Sequence, residues 1–178
     1  MKALDKETAI ARMNTFGRNG TPFLFVNAYM QEHTYEEPLD GIDASVCLYQ
    51  FRGTGNAPAA GARYAGTMDW EFTPPAPADF RRSFDTVRRN LLVGNSYLTN
   101  LTCKVPLRTN LTLKDVFLQS HALYKLWLKD RVGCCSPEIF VCMEEGRIKS
   151  FPMKGTIDAT LPHAESILLD AAKEAAEH

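Results

Sequence analysis

The sequence is short of the features that mark several function classes. It has no run of 18 apolar residues, which argues against a transmembrane helix. Neither sign of charge predominates: 20 Lys and Arg against 21 Asp and Glu leave a net charge of −1. No bulk attraction to nucleic acid or to a membrane surface is therefore expected. The N-terminus, Met1-Lys2-Ala3-Leu4-Asp5-Lys6-Glu7, lacks the apolar core of a secretory leader. Gly53-Thr54-Gly55 lacks the third glycine and the strand–helix setting of a dinucleotide-binding turn. The four histidines, His33, His121, His163 and His178, form no spaced ligand set, and Cys134-Cys135 has no metal spacing. The five cysteines cannot all pair, and most lie in apolar strand-like runs, so they read as reduced, buried thiols of a cytoplasmic protein. No internal repeat, low-complexity tract or linker is visible, which makes one domain the default for 178 residues.

What is present suits a packed core: 45% hydrophobic and 23% charged residues are close to globular averages. Residues 7 to 16 read as a helix closed by Gly17 and Gly20. Pro22 to Ala28 and Ala44 to Phe51 read as strands, with Tyr29 to Asp43 a polar, acidic connection between them. Arg52 to Arg63 holds four Gly or Pro among small residues and reads as a loop; Tyr64 to Phe72 reads as a strand. Ala78 to Val93 is the clearest helix, because Phe80, Phe84, Val87 and Leu91 form one apolar stripe and Gly94 supplies a stop. Arg81, Arg82, Arg88 and Arg89 lie off that stripe, as a solvated face or, less simply, a phosphate-binding one. Tyr97 to Val105 reads as a strand, Thr112 as the cap of a short helix toward Ser120, and Tyr124 to Leu128 as strand or helix. Pro162 is expected to start the last helix.

The most informative stretch lies between residues 136 and 156. Glu138 to Met143 is β-branched, aromatic and apolar, Glu144-Glu145-Gly146 is turn material, and Arg147 to Phe151 alternates with period two. A three-residue loop ending on Gly146 would set Met143 opposite Arg147 and Glu138 opposite Pro152. Lys154 would then share a face with Glu138 as a diagonal neighbour, roughly 7–8 Å away. A partly desolvated lysine is a nucleophile, and a protonated glutamate is a general acid. The plainer alternative is an exposed ion pair worth ~0.2–1 kcal/mol.

Four blocks, in this order, resemble the chorismate-binding enzymes: Gly94-Asn95-Ser96-Tyr97-Leu98-Thr99-Asn100-Leu101-Thr102, Ser136-Pro137-Glu138, Pro152-Met153-Lys154-Gly155-Thr156, and Lys173-Glu174-Ala175-Ala176-Glu177-His178. Within them the match is most similar to component I of aminodeoxychorismate synthase. The resemblance implies an α+β fold: the amino-terminal half of an α/β sandwich, mainly antiparallel sheet with flanking helices. It implies that Lys154 attacks C2 of chorismate, that Glu138 assists loss of the C4 hydroxyl, and that ammonia then adds at C4. Anthranilate synthases carry Ala where this chain has Lys154. Gly155 and Thr156 fall at substrate-contacting positions. Glu177 matches a magnesium ligand, and Glu174, one turn earlier, is expected to help hold a metal-bound water. A glutamine amidotransferase subunit is the implied ammonia source.

In the family the Glu-His pair runs on into further helix and strands, which bring another metal-binding glutamate and groups that grip both chorismate carboxylates. Residues 1–178 are therefore expected to be an incomplete chorismate-binding domain, inactive alone and prone to self-association through uncovered apolar surface. An anthranilate-synthase-type enzyme and a non-catalytic scaffold fragment remain the alternatives.

Overall fold

Local chemistry sets the helix ends. Asp5 accepts a hydrogen bond from the Thr8 amide at 2.9 Å, satisfying one of the amides that a first turn leaves open. At the other end Gly20 takes the left-handed conformation, and the Gly20 and Thr21 amides return to Gly17 and Phe16 carbonyls. Gly17, an expected stop, lies within the helix, at the ordinary cost of roughly 1 kcal/mol for a helical glycine.

The computed structural model describes residues 1–58, 64–135, 137, 139–151 and 158–168. In chain order the elements are β1 (Ala3–Leu4), α1 (Lys6–Asn19), β2 (Phe23–Asn27), β3 (Thr34–Pro38), a 3-10 turn at Leu39–Gly41, β4 (Cys47–Phe51) and β5 (Thr54–Gly55). There follow β6 (Trp70–Phe72), α2 (Pro77–Leu92), β7 (Leu107–Thr109), α3 (Leu113–Gln119), β8 (Tyr124–Leu128) and β9 (Val132–Cys135). The last are β10 (Val141–Glu144), β11 (Arg147–Ser150) and α4 (Ala164–Leu168). All strand pairs described are antiparallel and helices accompany them, which is the expected α+β class. Contacts divide the chain into two compact units: Met1–Met68 with Leu111–Pro137, and Asp69–Asn110 with Glu138–His178. Among the described residues no helix is long and apolar enough to cross a membrane.

The first unit holds a three-stranded sheet, β1-β3-β2, and a four-stranded sheet, β5-β4-β8-β9. β4 is buried on both faces. Cys47 and Tyr49 join Leu24, Tyr35 and Leu128 in one cluster, while Leu48 joins Phe117 and Trp127 in another. Alternation along the strand therefore feeds two layers at once. Burying a side chain such as Phe117 contributes roughly 1.5–3 kcal/mol. α3 carries a capping box between Thr112 and Asp115. Its other end is closed by buried Lys125, whose Nζ donates to the Phe117 and Ser120 carbonyls at 3.0 and 2.8 Å. A cation there meets the carbonyls that a last helical turn leaves unpaired. Burial pushes the Cys47 thiol up to about 11.

The second unit is built from amphipathic pieces. In the β6–β7 pair, Glu71 and Arg108 form an ion pair at 3.7 Å on one face, while Trp70 and Phe72 stack on the other. α2 starts on Pro77 at its first turn, keeps the expected Phe80–Phe84–Val87–Leu91 stripe, and ends with the Gly94 and Asn95 amides returning to Leu91 and Asn90 carbonyls. Among the described residues of this unit none is buried.

Several expectations are corrected. The acidic connection from Tyr29 to Asp43 contains β3, the central strand of its sheet, because a buried glutamate there is neutralised by a partner from α1. Tyr64 to Phe72 is strand only over Trp70–Phe72, and Arg52 to Arg63 contributes the short β5 before residues 59–63, which lie outside the described residues. Tyr97 to Val105 is not a strand: its residue types suit one, but no ladder partner is present among the described residues. The last helix begins at Ala164, not Pro162. Of the five cysteines only Cys47 is buried; Cys103 and Cys135 are exposed, the latter ending an edge strand.

Candidate functional site

The β10–β11 hairpin joins the two sequence blocks that carry the expected amine and acid. Its ladder pairs Val141 with Ser150, Cys142 with Lys149, Met143 with Ile148 and Glu144 with Arg147. The connection is therefore the two residues Glu145 and Gly146, both at positive φ, 51° and 72°. That is the backbone of a type I′ turn, whose twist matches the flanking strands. Phe140 and Phe151 lie just beyond the last ladder pair.

This register corrects the expected three-residue loop by one position. A shift of one exchanges faces. The side-by-side placement of Glu138 and Lys154 rests on the longer loop, so the ladder itself no longer supplies it. Glu138 and Lys154 lie outside the described residues, as do Gly155, Thr156, Glu174 and Glu177. Among the described residues the charged side chains of the hairpin gather on one face. Cys142, Glu144, Arg147 and Lys149 share one side, where Lys149 Nζ donates to Glu144 Oε2 at 2.9 Å. Val141, Met143, Ile148 and Ser150 share the other.

Two further features bear on ligand binding. A groove of about 300 Å³ runs along α2, lined by Pro77, Phe80, Arg81 and Phe84. Phe80 and Phe84 stack there with ring centroids 6.4 Å apart. Beside it Arg82 pairs with Asp79 and Arg89 donates to the Thr86 hydroxyl, so the arginine face is partly engaged within its own helix. Among the described residues no group of three or more His, Cys, Asp or Glu side chains is arranged to hold a metal.

The least expected electrostatic feature is Glu36 in β3. Its side chain is fully enclosed; Oε1 accepts from Arg12 Nε at 2.7 Å, and Oε2 has no hydrogen-bond partner among the described residues. Sequence reasoning missed it because Arg12 lies 24 residues away on α1. The pattern Thr34-Tyr35-Glu36, buried throughout, is polar enough to pass for a connection.

Residues 8–178 match the chorismate binding enzyme family. An uncharacterized PabA-like protein of Pasteurella multocida is 40% identical over 169 residues, covering 95% of this chain and 52% of that protein. One of Haemophilus influenzae is 37% identical over 171 residues, covering 95% of this chain and 51% of that protein. The chain thus spans about half the length of the curated relatives it matches. No solved structure matches it. With nearly its whole length inside the match, the chain belongs to the chorismate binding enzyme family.

Proposed function

We propose that this chain carries the nucleophile and the general acid of an aminodeoxychorismate synthase component I, acting on chorismate and ammonia in the route to p-aminobenzoate and folate. The observation that carries the reading is Lys154 within Pro152-Met153-Lys154-Gly155-Thr156, in a chain of a chorismate binding family. Lys154 Nζ bonds to C2 of chorismate, the ring double bonds shift, and the C4–O bond breaks. Glu138 gives its proton to the departing hydroxyl, which leaves as water. Ammonia then bonds to C4, the double bonds shift back, the C2–N bond breaks and Lys154 is freed. The proton lost by the added nitrogen returns to Glu138. Gly155 and Thr156 line the ring, the glycine allowing close approach.

Magnesium belongs to the same proposal. Glu174 and Glu177 are hard oxygen donors three residues apart in sequence, a donor set that suits this ion. When bound, it would neutralise charge on the anionic substrate. Ammonia would come from a glutamine amidotransferase subunit. The five free cysteines support a reducing, cytoplasmic setting. Because the chain spans half of its relatives, the activity is proposed for a protein of their length, and the 178 residues alone are expected to be inactive.

The test uses the chain co-produced with the half of the Pasteurella multocida relative that it does not match. With chorismate and magnesium supplied and ammonia withheld, the lysine-bound ring should accumulate. After quenching, peptide mass mapping should find added mass on Lys154. A preparation that turns over chorismate with Lys154 unmodified under these conditions would refute the assignment.

A further inference from the structure

β2 is an outer strand of the sheet β1-β3-β2, and the ladder fixes which of its groups face outward. The Ala28 amide donates to the His33 carbonyl, and the Leu39 amide donates to the Pro22 carbonyl. In an antiparallel pair such bonds recur at every second residue. Leu24 and Val26 therefore turn their backbone groups toward β3, while Phe23, Phe25 and Asn27 turn theirs away from it. Among the described residues no strand meets that edge. Open edges are ordinarily blunted by charge, proline, a bulge or short length. β1, on the other side of the same sheet, has only two residues. β2 has five, Phe23-Leu24-Phe25-Val26-Asn27, with neither charge nor proline. It also carries apolar surface beside the edge. Phe16, Phe23 and Phe25 form a row with ring centroids 5.2 and 6.1 Å apart, and Phe25 is 51% exposed.

The edge is its own complement. Its outward positions are centred on Phe25. A second strand of the same sequence, laid antiparallel about a two-fold axis at Phe25, sets Phe25 against Phe25 and Phe23 against Asn27. Every outward amide then meets a carbonyl, the aromatic rows meet on one face, and no like charges are opposed. We propose that the β2 edge is the interface between two copies of this chain, joining two three-stranded sheets into one continuous antiparallel sheet. The short β1 strands at its outer ends leave the assembly closed at two copies. The inference rests on the edge of β2 and not on the chemistry assigned to Lys154.

The test reads the register by cross-linking. Phe25→Cys brings two new thiols together across the axis, with Cα atoms roughly 5.5 Å apart, within reach of a disulfide. In Asn27→Cys the two new thiols are offset along the strands by about 13 Å, out of reach. The variants are oxidised with oxidised glutathione, alone and co-produced with the half of the Pasteurella multocida relative outside the match, and linked peptides are identified by mass. The expected result is a 25–25 link, a 23–27 link when Phe23→Cys and Asn27→Cys chains are mixed, and no 27–27 link. In light scattering Phe25→Lys, which opposes two cations on the axis, should abolish the dimer. Tyr29→Lys, at an exposed residue just beyond the strand, should keep it. Absence of the 25–25 link, linking at 27–27 as readily as at 25–25, or a mass indifferent to Phe25→Lys would overturn the proposal. So would loss of the 25–25 link in the presence of the added half, which would mean that the half takes the edge itself. None of these readouts depends on turnover, so inactivity toward chorismate would count against the proposed chemistry and not against the interface.

Discussion

Glu36 sets burial against charge more sharply than any other described residue. One oxygen is held by Arg12, the other has no partner among the described residues, and the side chain is inaccessible to solvent. Removing the cation leaves an uncompensated buried carboxylate, so Arg12→Leu should cost about 3 kcal/mol in chemical denaturation. Arg12→Leu with Glu36→Leu should recover most of that loss, since a buried pair is often replaceable by apolar side chains. A double variant no more stable than the single would show that the pair is not the cause. Thr112 is the opposite case, legible from sequence because its partner is three residues away. Its hydroxyl accepts from the Asp115 amide at 3.1 Å, and Asp115 Oδ2 accepts from the Thr112 amide at 2.9 Å. Thr112→Ala should cost about 1 kcal/mol. Hydrogen bonds from the Thr112 side chain and backbone hold the Asp115 carboxyl below its ordinary value. A folded value below the unfolded one means the contribution is present above the usual carboxylate range and is lost as pH falls through the depressed value. The penalty for Thr112→Ala should therefore shrink on acidification below that range; a pH-independent penalty would argue against the cap.

At the scale of elements, the β10–β11 hairpin shows what local pattern can and cannot supply. Its two arms and its turn region follow from composition. Its register does not, because Glu144 reads equally well as the end of a strand or the start of a turn. The ladder takes it, pairing it with Arg147, and leaves Glu145 and Gly146 to close the turn. Gly146 lies at φ 72°, where a side chain is strained. Gly146→Ala should destabilise the hairpin by about 1 kcal/mol, seen as faster amide exchange in both strands. Exchange unchanged from the parent would mean the turn tolerates another geometry. β3 escaped notice for a related reason: its burial depends on Arg12, a long-range fact. Residues 97 to 105 mislead in the other direction, since strand-forming side chains need a neighbouring strand to become one.

At the scale of the molecule, the family was legible at once, because its motif blocks are local strings in a fixed order. The α+β class was legible too, from short strands mixed with one strongly periodic helix. The division into two units was not, because 69–110 interrupts the first unit in sequence without any change of composition. The spatial arrangement of Glu138, Lys154 and the Glu174–Glu177 pair does not follow from spacing either: a one-residue change of register is enough to move a strand residue to the other face. In the proposed chemistry Lys154 directs the amine to C4 of chorismate. The most direct measurement is the identity of the product made from chorismate, ammonium and magnesium by the chain co-produced with the unmatched half of its Pasteurella multocida relative. The parent should yield 4-amino-4-deoxychorismate and Lys154→Ala none. Anthranilate from the parent, or an undiminished yield of 4-amino-4-deoxychorismate from Lys154→Ala, would contradict it.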